Sequence, residues 1–232
     1  MFGISRVATL TQGLTVAPTA LTYITFNSNV QSGTSGVTAA VTASVGDLII
    51  FFSNAANSGS ATTAPPTLVT PAGFTIAKDF PSPTQLASIR YVVGYQVATT
   101  SGSRTITSTG GAAGSSHVVL VYRPNASISS VSFTTGTSQV TTATPTNQTF
   151  NMTGLMTPLT VGFAGFGSTG GLATGSAGSS TSASTRTVSA TFTATYNRVI
   201  TFEGSGFNAT STTISMSDGG TNTMYSTVMT VA

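Results

Sequence analysis

Cysteine and tryptophan are absent from this 232-residue chain, histidine occurs once, and only 5% of the residues are charged, against about 25% in an ordinary soluble domain. Without cysteine there is no disulfide scaffold, no thiolate metal site and no cysteine nucleophile. The acidic inventory is Asp47, Asp79, Glu203 and Asp218. Glycoside hydrolysis needs two facing carboxylates, and nothing in the spacing of these four pairs any of them. Asp47 follows Gly46 at the mouth of an apolar run and predicts a turn role, whereas Asp79 beside Lys78 predicts a solvated ion pair.

The single histidine, His117, stands in Ser115-Ser116-His117-Val118. A Ser-His-Asp triad is conceivable, but serines are abundant throughout and no Gly-x-Ser-x-Gly elbow occurs. The expectation is a histidine at a strand entry that makes one backbone hydrogen bond. One histidine and no cysteine exclude a zinc site of the usual kind. Asp218-Gly219-Gly220-Thr221-Asn222 offers oxygen ligands for calcium but a single carboxylate, so a turn is expected. Around Gly165-Phe166-Gly167 no Lys-Ser/Thr follows, which excludes a phosphate cradle. Four glycosylation sequons, at Asn125, Asn147, Asn151 and Asn208, are near the number that chance supplies in a chain about one-third Ser and Thr. No catalytic residue, metal or cofactor is expected.

Positive charge is also sparse. Arg6, Lys78, Arg90, Arg104, Arg123, Arg186 and Arg198 are scattered singly and give a formal net charge of +3. A nucleic-acid stripe needs them clustered, so no direct nucleic-acid partner is expected. No apolar run approaches the roughly 20 residues of a membrane-spanning helix, and the first residues lack the pattern of a secretory signal. No membrane partner and no export by that route are expected.

What is present is a period of two. Ile89, Tyr91, Val93, Tyr95 and Val97 share one parity, with Ser88, Arg90 and Gln96 on the other, which predicts a strand with one wet face. Val37, Ala39, Val41, Ala43 and Val45 repeat the pattern, as do Tyr225, Thr227, Met229 and Val231. The continuous runs Leu48-Ile49-Ile50-Phe51-Phe52 and Val118-Val119-Leu120-Val121-Tyr122 predict central strands covered on both faces. Further strands are expected at 21–26, 74–78, 104–108, 128–133, 148–152, 159–166, 185–195, 198–207 and 212–216. Gly-, Asn- and Pro-rich turns separate them, and no helical stripe occurs. The fold class that follows is all-β: an antiparallel β-sandwich, jelly-roll-like, with little or no helix.

Residues 1–20 differ in pattern and are expected to form an N-terminal arm that docks on a neighbour, or else an edge strand. Residues 21–232 form a single large sandwich, with a candidate subdivision near 141–147, where the composition is that of a linker. The candidate assembly contacts on the arm are Phe2, Ile4, Arg6, Val7, Leu10 and Leu14. A surface with so little charge has little repulsion to keep copies apart, which favours a permanent assembly over a free monomer.

The order Val45-Gly46-Asp47-Leu48-Ile49-Ile50-Phe51-Phe52, then Pro71-Ala72-Gly73-Phe74-Thr75, then Tyr91 to Ala98, then His117 to Arg123 resembles a β-sandwich module of tailed-bacteriophage virion proteins. The resemblance spans about residues 37–133, with a continuation from Pro158 onward. Phe74 stands where Trp is usual, and Pro124 where Gly is usual. The resemblance implies that Asp47 caps a turn, that Gly73-Phe74 buries an aromatic at a corner, and that Arg123 closes a late strand. It also implies a non-enzymatic structural role in the virion, as a capsid decoration or fibre-like component assembled in the host cytoplasm. The partners implied are other virion proteins and copies of the chain itself, with a trimer as the working expectation. The alternatives are a tail, baseplate or host-glycan-binding module and, third, a secreted bacterial surface or matrix protein.

Overall fold

In a computed structural model of the chain the described residues are 21–32, 36–56, 68–81, 89–110, 114–135, 139–141, 146–151, 159–168, 174–178, 184–192, 195–205, 211–217 and 222–231. Every regular element among them is a strand. The first nine are β1 (Leu21–Ser32), β2 (Val37–Ala43), β3 (Leu48–Ala56), β4 (Leu68–Val69), β5 (Thr75–Pro81), β6 (Ile89–Val97), β7 (Gly102–Gly110), β8 (Gly114–Pro124) and β9 (Val131–Thr135). The rest are β10 (Gln139–Thr141), β11 (Thr146–Asn151), β12 (Leu159–Ser168), β13 (Thr174–Gly178), β14 (Ser184–Phe192), β15 (Thr195–Ser205), β16 (Ser211–Ser217) and β17 (Asn222–Val231). The architecture is all-β and sandwich-like, as the period of two predicts. β4, β10 and β13 fall outside the predicted strands; two or three residues, or a run such as Thr-Gly-Ser-Ala-Gly, carry too few apolar side chains to show a period.

Among the described residues four antiparallel sheets form: β1-β8-β3-β6-β5; β2-β7-β4; β10-β17-β12-β15-β14 with β9 also on β17; and β11-β16-β13. The five-stranded sheet is covered on both faces, and strand parity divides its side chains between two cores. Leu48, Ile50 and Phe52 of β3 join Val118, Leu120 and Tyr122 of β8 and Tyr91 and Val93 of β6 in one core, which is closed by Met229 and Val231 of β17. Val131 and Phe133 of β9 pack on the same core. Ile49, Phe51 and Ala55 of β3 join Val119 and Val121 of β8 in the other, against Ala39, Val41 and Ala43 of β2, Leu68 of β4 and Ile106 of β7. The continuous apolar runs at 48–52 and 118–122 are therefore central strands, and each of their large side chains is removed from water. Burial of this kind stabilises by about 1.5–3 kcal/mol per large side chain.

β6 departs from its predicted wet face. Val92 is buried in the second core, and a Cβ on the buried Gly94 would stand 2.5 Å from Phe51 Cε1. The second layer extends over the middle of β6, and on this face Arg90 and Gln96, toward its ends, are partly exposed.

The outer edges of this half are guarded. Asn27 and Asn29 of β1 donate from Nδ2 to the backbone carbonyls of Ala40 and Thr38 on β2, each at 2.8 Å, in place of a neighbouring strand. β5 carries a register break between Ile76 and Lys78 and ends on Pro81, features that discourage a further strand from adding. β9, before the linker-like stretch at 141–147, pairs with β17 near the chain's end. Thr141 ends β10 and Thr146 begins β11.

Candidate functional site

The central pair β3 and β8 is finished differently at its two ends. At one end the chain turns through Ser44 to Asp47, with Gly46 at φ 86° in the left-handed region that favours glycine. Asp47 Oδ2 accepts from the Ser44 amide at 2.8 Å, and the Asp47 amide donates to the Ser44 carbonyl at 3.0 Å. From the end of β8, Arg123 Nε donates to Asp47 Oδ1 at 3.0 Å, and Nη2 donates to Asp47 Oδ2 at 3.1 Å and to Ser44 Oγ at 3.0 Å. Burial opposes the charge on Asp47, but the hydrogen bonds from Arg123 and Ser44 and the charge of Arg123 outweigh it and hold the carboxyl below its usual range. Asp47 is thus a turn cap and Arg123 the clamp that closes β8. Phe74, beside Gly73 at φ 80°, is half-buried edge-on to Phe51, with ring centroids 5.2 Å apart.

A groove of about 400 Å³ opens beside this clamp, lined by Val45, Val97, Arg123, Asn125, Ser127 and Ile128 among others. Val45 is 65% exposed there. Its mixed apolar and polar lining can take a small ligand, but no second carboxylate lines it beside Asp47.

At the other end of β3 and β8 lies a buried polar joint. His117 faces Ser53 directly across the register, with Nδ1 and Ser53 Oγ 2.6 Å apart. Ser108 of β7 reaches in from the other sheet, its Oγ 2.9 Å from Ser53 Oγ and 3.4 Å from His117 Nδ1. The His117 ring stacks on Phe51 at 6.0 Å. Burial pushes its pKa down to about 4, with the Ile106 carbonyl opposing the shift. On the opposite face, Asn54 Oδ1 accepts from the Ser116 amide at 3.0 Å and from Ser116 Oγ at 2.9 Å.

A backbone interaction with Ile106 is present, as the sequence neighbourhood of His117 predicts, but the residue does more than enter a strand. It sits within β8, wholly buried, and binds serines from two other strands. Its neighbours Ser115 and Ser116 do not engage the ring. Nε2 has no hydrogen-bond partner among the described residues, so no described carboxylate orients the imidazole as a triad requires.

Asp79 is likewise not paired with Lys78. It forms a two-pronged ion pair with Arg90 across the β5–β6 ladder, Arg90 Nε donating to Oδ1 at 2.8 Å and Nη2 to Oδ2. Consecutive strand residues point to opposite faces, so Lys78 and Asp79 cannot share a side of β5.

Gly165-Phe166-Gly167 lies inside β12 and is strand, not a phosphate loop. Glu203 lies in β15, paired in register with Val161 and Ser184. Of the turn expected at Asp218 to Asn222, residues 218–221 lie outside the described residues and Asn222 opens β17; the arm contacts Phe2, Ile4, Arg6, Val7, Leu10 and Leu14 also lie outside them. Compared with family models, curated proteins and solved structures, the chain matches none.

Proposed function

We propose that the protein is a non-enzymatic structural component of a bacteriophage virion, a capsid decoration or fibre-like protein that works by holding to its neighbours. The observation that carries this reading is the use made of its scarce ionisable groups. Asp47 is taken up by Arg123 and Ser44, Asp79 by Arg90, and His117 by Ser53 inside the core. Asp47, Asp79 and His117 are thus each committed to holding strands together, while the surface is left with few charges to repel another copy. The sequence motifs shared with virion sandwich modules point the same way.

Under this reading the partners are other virion proteins and further copies of the chain, and its place is the particle. The guarded edges at β2 and β5 turn strand addition away from those two positions, and this reading takes residues 1–20 as the attachment arm. The test is incorporation. A chain lacking residues 1–20 is expected to keep the sandwich's far-ultraviolet spectrum and to be lost from particles; full occupancy by the truncated chain refutes the arm.

One observation favours a second reading. The groove beside Arg123, Asn125 and Ser127 combines hydrogen-bonding side chains with the apolar Val45 and Val97, a lining suited to a sugar ring of a host glycan. A glycan array tests it, and an array with no hit above background removes it.

A further inference from the structure

His117 is the only histidine in the chain, and it stands where the two layers of the sandwich are joined by polar contacts. Ser53 and His117 belong to the five-stranded sheet, and Ser108 to β2-β7-β4. All three are buried, with relative exposures of 0%. Around them lie Phe51 and Ala55 of β3, Val119 of β8 and Ile106 of β7, all apolar.

An imidazolium needs acceptors for two N–H groups. Here Nδ1 has the two serine oxygens, while Nε2 makes no hydrogen bond of good geometry among the described residues, and the backbone of Ile106 beside the ring favours the proton too weakly to offset burial. Nor is a counter-charge within reach among the described side chains; Arg186 on β14 and Arg198 and Glu203 on β15 belong to the sheet whose β17 packs on the other face of β3 and β8. On β6 and β5 the charged groups on this side are Arg90 and Asp79, which are bound to one another. On β7 the charged residue is Arg104, four positions before Ser108, itself a cation and bound to Thr100 through Nη2. β2, β3, β4 and β8 add no charged side chain at this end. The connecting segments 33–35, 57–67, 82–88 and 111–113 contain no Asp, Glu, Lys, Arg or His.

We propose that the Ser53–Ser108–His117 joint is an acid-released latch: protonation of His117 ends the hold of the β2-β7-β4 sheet on the five-stranded sheet, and the sandwich opens there first. Opening lets the cation reach water and uncovers Phe51, Ala39, Val41 and Ile106. The folded ring titrates at about 4 against an ordinary 6.5, so between these values the open chain holds more protons than the closed one. The closed form is then favoured fully well above pH 6.5 and loses ground as pH falls, by roughly 150-fold in the closing equilibrium at pH 4 and toward roughly 300-fold well below it.

Amide hydrogen exchange on the full chain between pH 7 and 4, corrected for intrinsic rates, tests this. Protection over Val37–Ala43 and Gly102–Gly110 is expected to fall well before that over Leu48–Ala56. In a His117→Asn chain the fall between pH 6.5 and 4 is expected to vanish. A simultaneous loss in all strands, or an unchanged acid loss in the Asn chain, overturns the latch. If His117→Asn does not fold, NMR titration of the lone imidazole in the natural chain decides: a midpoint below about 5 supports the latch, and one near 6.5 overturns it.

Discussion

Arg123 and Asp47 tie the end of β8 to the turn that opens β3 through two hydrogen bonds of 3.0 and 3.1 Å, with the carboxylate buried and the guanidinium half in solvent. The asymmetry matters for substitution. The arginine can be rehydrated, whereas the carboxylate depends on its donors, so the turn rests on Asp47.

Asp47→Asn keeps the shape but loses the charge that Arg123 and the Ser44 amide bind. Hydrogen bonds to a charged group are worth about 1.5–3 kcal/mol, and a loss of about 2 kcal/mol is expected in urea denaturation at pH 7. Because the carboxyl is held below its usual range, the stability it contributes is present above its unfolded value near 3.8 and is lost as pH falls through the folded one. The natural and Asn chains should therefore differ by a constant amount from pH 7 to about 4.5 and converge only below 4. Convergence at pH 5 to 6 contradicts this assignment.

Gly94→Ala drives a methyl group into Phe51, whose Cε1 and Cζ stand 2.5 and 2.8 Å from the new carbon. Phe51 has little freedom to retreat, being packed against Phe74 and His117. Overpacking of this kind costs about 1–3 kcal/mol. Combining it with Phe51→Leu should cost less than the sum of the two single changes, a coupling that a double-mutant cycle measures. Strict additivity would show that the two residues do not meet.

Asn27→Ala with Asn29→Ala removes both donors to the carbonyls of Ala40 and Thr38 without adding charge at the edge. These are exposed neutral hydrogen bonds that water can replace, so the expected loss is about 1 kcal/mol. The larger effect is on association, because the freed carbonyls leave β2 open to another strand. Sedimentation velocity at rising concentration should show more self-association than the natural chain; unchanged sedimentation means that the asparagines are not an edge guard.

The two cores were legible because five consecutive apolar residues in a strand must face both ways, and 48–52 and 118–122 have no polar residue to break the run. Asp47's cap was legible for a similarly local reason, a Gly-Asp pair at the start of a strand. The His117 joint was not: its partners lie 64 and 9 residues away and become neighbours only through register and layer packing, in a chain where every segment offers serines. The Asp79–Arg90 pair was hidden by the closer Lys78, which strand geometry sends to the other face. Asn27 and Asn29 read as ordinary polar positions, since nothing in a sequence marks a side chain that caps the edge of another sheet.

The central claim, that this chain is a building part of a virion, is tested most directly by density-gradient fractionation of a lysate in which particles form, with immunodetection of the chain. The account predicts that the protein bands with the DNA-filled particles and stays with them through a second gradient. Recovery as a free molecule at the top of the gradient, or with the cell envelope, would contradict it.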